Sequence, residues 1–259
     1  MNWLRGELYT FLLAVQFLTR VPLPNWPIYT PERFGASVRH YPTVGLFIGA
    51  FSAGVLATAS VLLPPLVAVL LSFAATIALT GAFHEDGLAD MFDGVGGGND
   101  RNAILEIMKD SRIGVYGACG LVSVLAIKAA TLWELTRPLG ITGVCLLLVA
   151  THALSRWSAV VVIATSTYLR GEGSGKSPGQ RIPAPALLFT TVVAAACVAG
   201  LFRFFGPPGT ASAVVGLVLG HATARFVFER RLGGYTGDCL GATQQLSEIG
   251  LYLGVLAWL

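Results

Sequence analysis

The feature that most constrains this chain is a series of seven apolar stretches, at about 43–63, 66–83, 113–133, 141–165, 185–202, 211–228 and 240–258. Each is close to the ~20 residues that a helix rising ~1.5 Å per residue needs to cross ~30 Å of hydrocarbon. Composition agrees: 12% of the 259 residues are charged, against roughly 25% in a soluble domain, and the mean hydropathy is +0.69. A soluble all-α domain would have to hide several runs of spanning length. The expected fold is therefore all-α and polytopic, with about seven transmembrane helices. No long linker and no repeat divides the chain, so residues 1–259 read as a single integral membrane domain.

A shorter apolar stretch, Leu8 to Leu18, runs into Thr19, Arg20 and a segment carrying Pro22, Pro24, Pro27 and Pro31. No small-x-small cleavage pattern follows it, so it reads as a retained N-terminal interfacial or re-entrant helix. The four cysteines (Cys119, Cys145, Cys197, Cys239) are far apart and form no CxxC pair, which points to free packed thiols.

Lysine and arginine between the apolar stretches fix an orientation. With the N-terminus inside, twelve fall on the inner side (Arg5, Arg20, Arg33, Arg39, Arg101, Lys109, Arg112, Arg170, Lys176, Arg181, Arg230, Arg231) and two outside (Arg137, Arg203). Lys128, Arg156 and Arg225 fall within apolar stretches. That bias predicts a cytoplasmic N-terminus and an external C-terminus. The basic residues are dispersed, so the net charge of +3 does not point to nucleic acid.

Twelve of the fourteen acidic residues lie in the same inner segments, and four crowd into 84–94. If that segment continues the second stretch as a helix, Asp86, Asp90 and Asp93 follow i, i+4, i+7 spacing and share a face. Like charges on one stripe repel unless a cation occupies it, and an oxygen-only donor set suits Mg²⁺, which completes its shell with water and phosphate. The alternative is a solvated acidic helix end. Gly87, Gly94 and the run Gly96-Gly97-Gly98 would let a bulky anion approach the backbone. His84 is a candidate metal ligand or base, against a hydrogen-bonded interfacial role.

Asn99 or Asp100 can cap a short helix with Ile104, Leu105, Ile107 and Met108 on its apolar side. Lys109 and Arg112 at its end are candidate phosphate ligands, or anchors at the inner boundary. Arg170 and Lys176 lie in a glycine-rich loop whose Gly-Lys-Ser is no P-loop, because residue 170 is Arg where a glycine is required. Thr236 and Gly237 open the last apolar stretch as a helix N-terminus fit for an anion, with Asp238 available beside them. Glu248 lies at membrane depth and needs a partner, for which Arg156 and Arg225 are candidates.

Taken together, these residues resemble the cobalamin synthase (adenosylcobinamide-GDP ribazoletransferase) family. The likeness runs through Phe17 to Pro24, Tyr41 to Gly45, Phe83 to Asp90 with Asp93-Gly94, Glu106 to Gly114, Ser155-Arg156, and Gly233-Gly234 with Thr236 to Asp238 and Gly241-Ala242. Some members carry an acid where this chain has Gln245. The resemblance implies a bacterial inner-membrane enzyme with its site on the cytoplasmic face. It implies transfer of the cobinamide-phosphate group of adenosylcobinamide-GDP to α-ribazole or α-ribazole 5′-phosphate, with release of GMP and help from Mg²⁺. On that reading Asp86, Asp90, Asp93 and Asp238 are catalytic, the first three also holding metal, and His84, Lys109, Arg112, Arg170, Lys176, Thr236 and Gly237 bind substrate. Membrane lipid is the expected surrounding, and a homo-oligomer is compatible with it.

Two other functions share the residue pattern. CDP-alcohol lipid phosphotransferases also align aspartates near the inner face, but their DGxxAR is not met, since Asp90 follows Ala89. A cation-coupled transporter would place its ionisable groups at the bilayer midplane, whereas most acids here lie outside the apolar stretches.

Overall fold

The computed structural model describes residues 3–23, 29–169 and 182–259. They form α1 (Trp3–Leu18), α2 (Pro31–Ser37), a 3₁₀ turn (Val38–His40), α3 (Tyr41–Ala59), α4 (Pro65–Thr80), α5 (Phe83–Gly97), α6 (Arg101–Ile107), α7 (Val115–Thr165), α8 (Ala184–Leu232) and α9 (Gly237–Trp258).

Two of these helices are hairpins. α7 has 51 residues, which would extend about 76 Å if straight. Its backbone leaves helical geometry at Gly140, where φ is 66° and ψ 172°. Lys128 before the break and His152 after it both reach Glu248, so the halves lie side by side. α8 breaks in the same way at Gly206 (φ 68°), ahead of Pro207 and Pro208, and Leu187 and Leu232 return to one apolar cluster. Glycine takes these left-handed angles without the steric cost that a Cβ imposes.

Two buried apolar clusters mark the ends of the bundle. One gathers Leu18, Tyr41, Leu88, Val160, Phe228 and Tyr235; the other gathers Leu56, Leu135, Leu147, Phe205, Leu217 and Val255. Within the described residues the chain runs between them seven times: along α3, α4, the two halves of α7, the two halves of α8, and α9. Residues 82–114 and 233–236 accordingly sit at the first end, with the segment after α7 beside them, where Tyr168 pairs with Tyr235.

The outer faces are apolar. Val218 and Leu219 are 55% and 62% exposed, and Phe47, Leu70, Val122, Phe202 and Phe226 are exposed as well, while Lys128, Arg156 and Glu248 are buried. This inversion is the pattern of a helical membrane protein. By length and apolarity, three segments can cross a membrane (Pro31–Ala59, Val115–Thr165, Ala184–Leu232), or four with the bent pair Pro65–Thr80 and Phe83–Gly97. The number is below seven because α7 and α8 each join two traverses, α4 has only 16 residues, and α9 carries Gln244, Gln245, Ser247 and Glu248 inward.

Glycine sets the closest crossings. A Cβ on Gly216 would collide with the Gly250 carbonyl, and one on Gly220 with that of Leu246; on the other flank, a Cβ on Gly49 would stand 2.7 Å from Val149 Cα. In lipid, where apolar side chains gain little by leaving their surroundings, such close backbone packing holds helices together.

Candidate active site

α4 does not continue into the acidic segment. Gly81 (φ 66°) and Ala82 (φ 57°) are both left-handed, and α5 leaves α4 at 89°. The acids therefore lie on a separate helix across the end of the bundle, with Leu88 and Met91 buried beneath it. Glu85 and Asp86 fall in its first turn, where the helix dipole favours negative charge.

The three aspartates differ in surroundings. Asp93 is buried, and its two oxygens accept the Gly114 and Gly117 amides at 2.7 Å each, which caps the start of α7. Asp86 is exposed and Asp90 half-buried. Asp238 joins these two through the backbone: a Cβ on Gly87, between them in sequence, would stand 2.9 Å from Asp238 Cα. A Cβ on Gly241, one turn along α9, would stand 3.0 Å from the His84 carbonyl. The glycines of α5 and α9 thus set the first turn of α5, which carries Asp86, against the start of α9, which carries Asp238. Thr236 caps α9, accepting the Cys239 amide at 3.5 Å and donating to Asp238 Oδ2 at 3.3 Å.

Gly94 and Gly96 of α5, and Gly98 just beyond it, pack against the chain that follows, while Gly97 is exposed. A Cβ on Gly94 would stand 3.1 Å from Met108 Sδ, one on Gly96 2.7 Å from the Tyr116 ring, and one on Gly98 2.7 Å from the Ile104 amide. α6 is capped by Asp100, which accepts the Asn102 and Ala103 amides, and it buries Ile104 and Met108 as expected. Lys109 is exposed. Arg112 is also exposed and forks onto Asp110, Nη2 to Oδ2 at 2.6 Å and Nε to Oδ1 at 3.0 Å. That fork holds the Asp110 carboxyl down to about 2 and raises the guanidinium in turn. Arg170 and Lys176 lie outside the described residues. Arg231, not singled out from sequence, donates to the Gly98 carbonyl at 2.7 Å and ties the end of α8 to the end of α5.

His84 is buried and lines a cleft with about 450 Å³ of empty space, counting its open mouth. Phe17, Tyr41, Phe83 and Leu240 form its walls, with Gly237, Arg156 and Gln244 among its lining. Gln244 and Arg156 were not expected here. Gln244 falls seven residues after Gly237, two turns along the same face of α9, and that spacing was the available signal.

Behind the cleft lies a buried ionic network. Glu248 is paired with Lys128, whose ammonium also donates to Gln245 Oε1 at 3.3 Å. His152 Nδ1 stands 2.6 Å from Glu248 Oε1, an ion-pair distance without hydrogen-bond alignment. Gln245 Nε2 donates to Glu85 Oε1 at 2.8 Å, which ties α9 to α5. Of the two arginines expected as partners, Arg156 lies within electrostatic reach of Glu248 and donates its hydrogen bond to the His152 carbonyl at 2.9 Å, while Arg225 donates to Thr165 at 2.8 Å. The pairing partner is Lys128 because the two halves of α7 bracket α9, a neighbourhood that spacing along one helix cannot reveal.

Among the described residues, no three acidic, histidine or cysteine side chains converge to enclose a cation. Mg²⁺ asks for less: one or two carboxylates, water and substrate phosphate. Asp86 and Asp90, with Asp238 against the turn between them, fit that demand at the rim of the bundle.

Comparison with known proteins covers nearly the whole chain. A family profile described as cobalamin-5-phosphate synthase matches residues 10–256. The chain is 45% identical to an adenosylcobinamide-GDP ribazoletransferase of Leptothrix cholodnii over 97% of this chain and 96% of that one. It is 38% identical to that of Ralstonia pickettii, covering 100% and 99%, and 41% identical to that of Vibrio cholerae, covering 99% and 96%. No solved structure matches the chain.

Proposed function

The chain belongs to the cobalamin-5-phosphate synthase family, and from that membership we infer that it is an adenosylcobinamide-GDP ribazoletransferase acting at the polar end of its helical bundle. The observation that carries the site is the α5–α9 crossing, which sets Asp238 against the turn between Asp86 and Asp90. The lipid phosphotransferase and transporter readings find no such support.

In the reaction, the 3′-hydroxyl of the ribazole forms a bond to the phosphorus attached to cobinamide. The bond from that phosphorus to the bridging oxygen breaks, its electron pair leaves on the phosphate of GMP, and the hydroxyl proton passes to water. Such transfers ask the protein for positioning and for stabilisation of phosphate charge. The amino end of α9 at Thr236 and Gly237 offers amides and a positive dipole to a phosphate. Asp86 and Asp90 would hold Mg²⁺, with Asp238 on the neighbouring turn, and the ion would supply charge neutralisation on the diphosphate when bound. Asp93 serves the same site by fixing the start of α7 under α5. Lys109 and Arg112 stand ready for phosphate, Arg112 on exchanging Asp110 for the substrate.

The seven traverses between the two apolar clusters read as seven membrane crossings, with α1 lying along the polar end. That end collects the basic segments, so it faces the cytoplasm of a bacterial inner membrane by the charge bias.

Full-length protein in membranes, supplied with adenosylcobinamide-GDP, α-ribazole and Mg²⁺, is expected to form the joined corrinoid product, and EDTA to stop it. Unchanged turnover in EDTA would remove Mg²⁺ from this account, and no product under any condition would remove the transferase.

A further inference from the structure

Arg156 and Gln244 are 2% and 1% exposed, and each leaves one polar atom, Nε and Oε1, without a hydrogen-bond partner among the described residues. Both residues line the aromatic cleft. Buried polar atoms without partners are costly, so a donor and an acceptor left over in one cleft are an unmet demand that a ligand can answer.

The chemistry of that demand is set by neighbouring bonds. Ser155 Oγ donates to the His152 carbonyl at 3.3 Å, so toward Gln244 it acts as acceptor, taking the Nε2–H at 3.1 Å. The Gln244 amide is thereby oriented, and Oε1 is its remaining acceptor. Arg156 spends Nη1 on the His152 carbonyl at 2.9 Å, leaving Nε–H as a donor. The walls are flat and largely apolar, with Phe17 stacked on Tyr41 at 5.9 Å and edge-on to Phe83 at 5.0 Å, and the Tyr41 hydroxyl adds one more buried polar atom without a hydrogen-bond partner among the described residues. An apolar cleft with a few placed polar groups is the usual form of a small-molecule site.

A planar base that accepts from Arg156 Nε–H and donates to Gln244 Oε1 answers both groups, whereas an anion would answer the arginine alone and leave the Gln244 oxygen without a partner. Of the two aromatic groups in the reaction, guanine offers O6 as acceptor and N1–H as donor. The base of α-ribazole offers a ring nitrogen acceptor and no N–H. The mouth is also placed for a nucleotide: Gly237 lines the cleft next to Asp238, and His84 lines it two residues before Asp86. We propose that this cleft is the guanine subsite for the GDP half of the corrinoid substrate, with Arg156 and Gln244 reading the base. The proposal rests on the transferase reading and deepens it.

With the phosphates held at the mouth, adenine presents donor and acceptor in the reverse order, whereas hypoxanthine keeps the order of guanine. The test is equilibrium binding of labelled GMP to the full-length protein, with IMP and AMP as competitors and turnover followed in parallel. IMP is expected to compete within about threefold of GMP, and AMP to be weaker by about ten-fold or more, because sites that hydrogen-bond a base reject one that leaves them unpaired. Gln244→Leu should weaken GMP and erase its advantage over AMP while KM for α-ribazole stays in place. The competitor series on the unaltered protein does not depend on that variant folding. Equal competition by GMP and AMP alongside normal turnover would overturn the guanine subsite and leave the transferase standing. Absence of both GMP binding and turnover in the unaltered protein would overturn the two together.

Discussion

Asp86, Asp90 and Asp93 share one spacing, yet their surroundings assign them different work. Asp93 accepts two backbone amides at the start of α7, and an asparagine there offers one acceptor oxygen and turns an NH₂ toward the second amide. Asp93→Asn should therefore cost about 1–2 kcal/mol of stability, in the range of a lost helix cap, read as a lower melting temperature in detergent. Asp86→Asn should leave the melting temperature in place and remove turnover. The stripe itself was legible in the sequence; the split was not, because the groups that claim Asp93 arrive from more than twenty residues downstream. The same holds for Glu248, whose need for a partner follows from its depth and whose partner, Lys128, lies on another helix. Lys128→Met should cost about 3 kcal/mol by removing the hydrogen-bonded partner of Glu248 and leaving His152 beside it, and adding Glu248→Leu should recover part of that loss. A double variant no more stable than Lys128→Met would contradict this pairing.

Glycine decides how the elements meet. The apolar stretches appear in the sequence at nearly the positions of the helices, since a polar or proline-bearing gap separates each from the next. The contacts between helices were hidden, because a glycine in an apolar run looks the same whether it faces lipid or another backbone. Gly216, Gly220, Gly250 and Gly254 face one another across α8 and α9, while Gly54 on α3 meets open space. Gly216→Val should destabilise the protein by about 1–3 kcal/mol through overpacking, and Gly54→Ala should change stability by no more than ~0.5 kcal/mol, both measured by thermal unfolding. At the polar end, Gly87→Ala places a methyl 2.9 Å from Asp238 Cα. The separation of α5 from α9 should lower turnover by about ten-fold or more with little loss of fold, and unchanged turnover would show that the crossing does not hold the site.

Across the whole molecule, seven traverses place the acidic helix, the α9 amino end and most of the basic segments at one end. Charge placement made that end legible in the sequence without any contact being known. The turn of α5 across the bundle was not, since it depends on two left-handed residues, one of them Ala82. A cysteine introduced at Asn99 should resist an impermeant reagent applied outside sealed cells and react once the membrane is opened; labelling in sealed cells would reverse the orientation. The central claim, that the polar end transfers cobinamide phosphate, is tested most directly by GMP release from adenosylcobinamide-GDP with and without α-ribazole. The unaltered protein in membranes should release one GMP for each corrinoid joined, only when α-ribazole is present, and Asp86→Asn and Asp238→Asn should release none. GMP release that ignores α-ribazole, or that survives in both variants, would contradict the account.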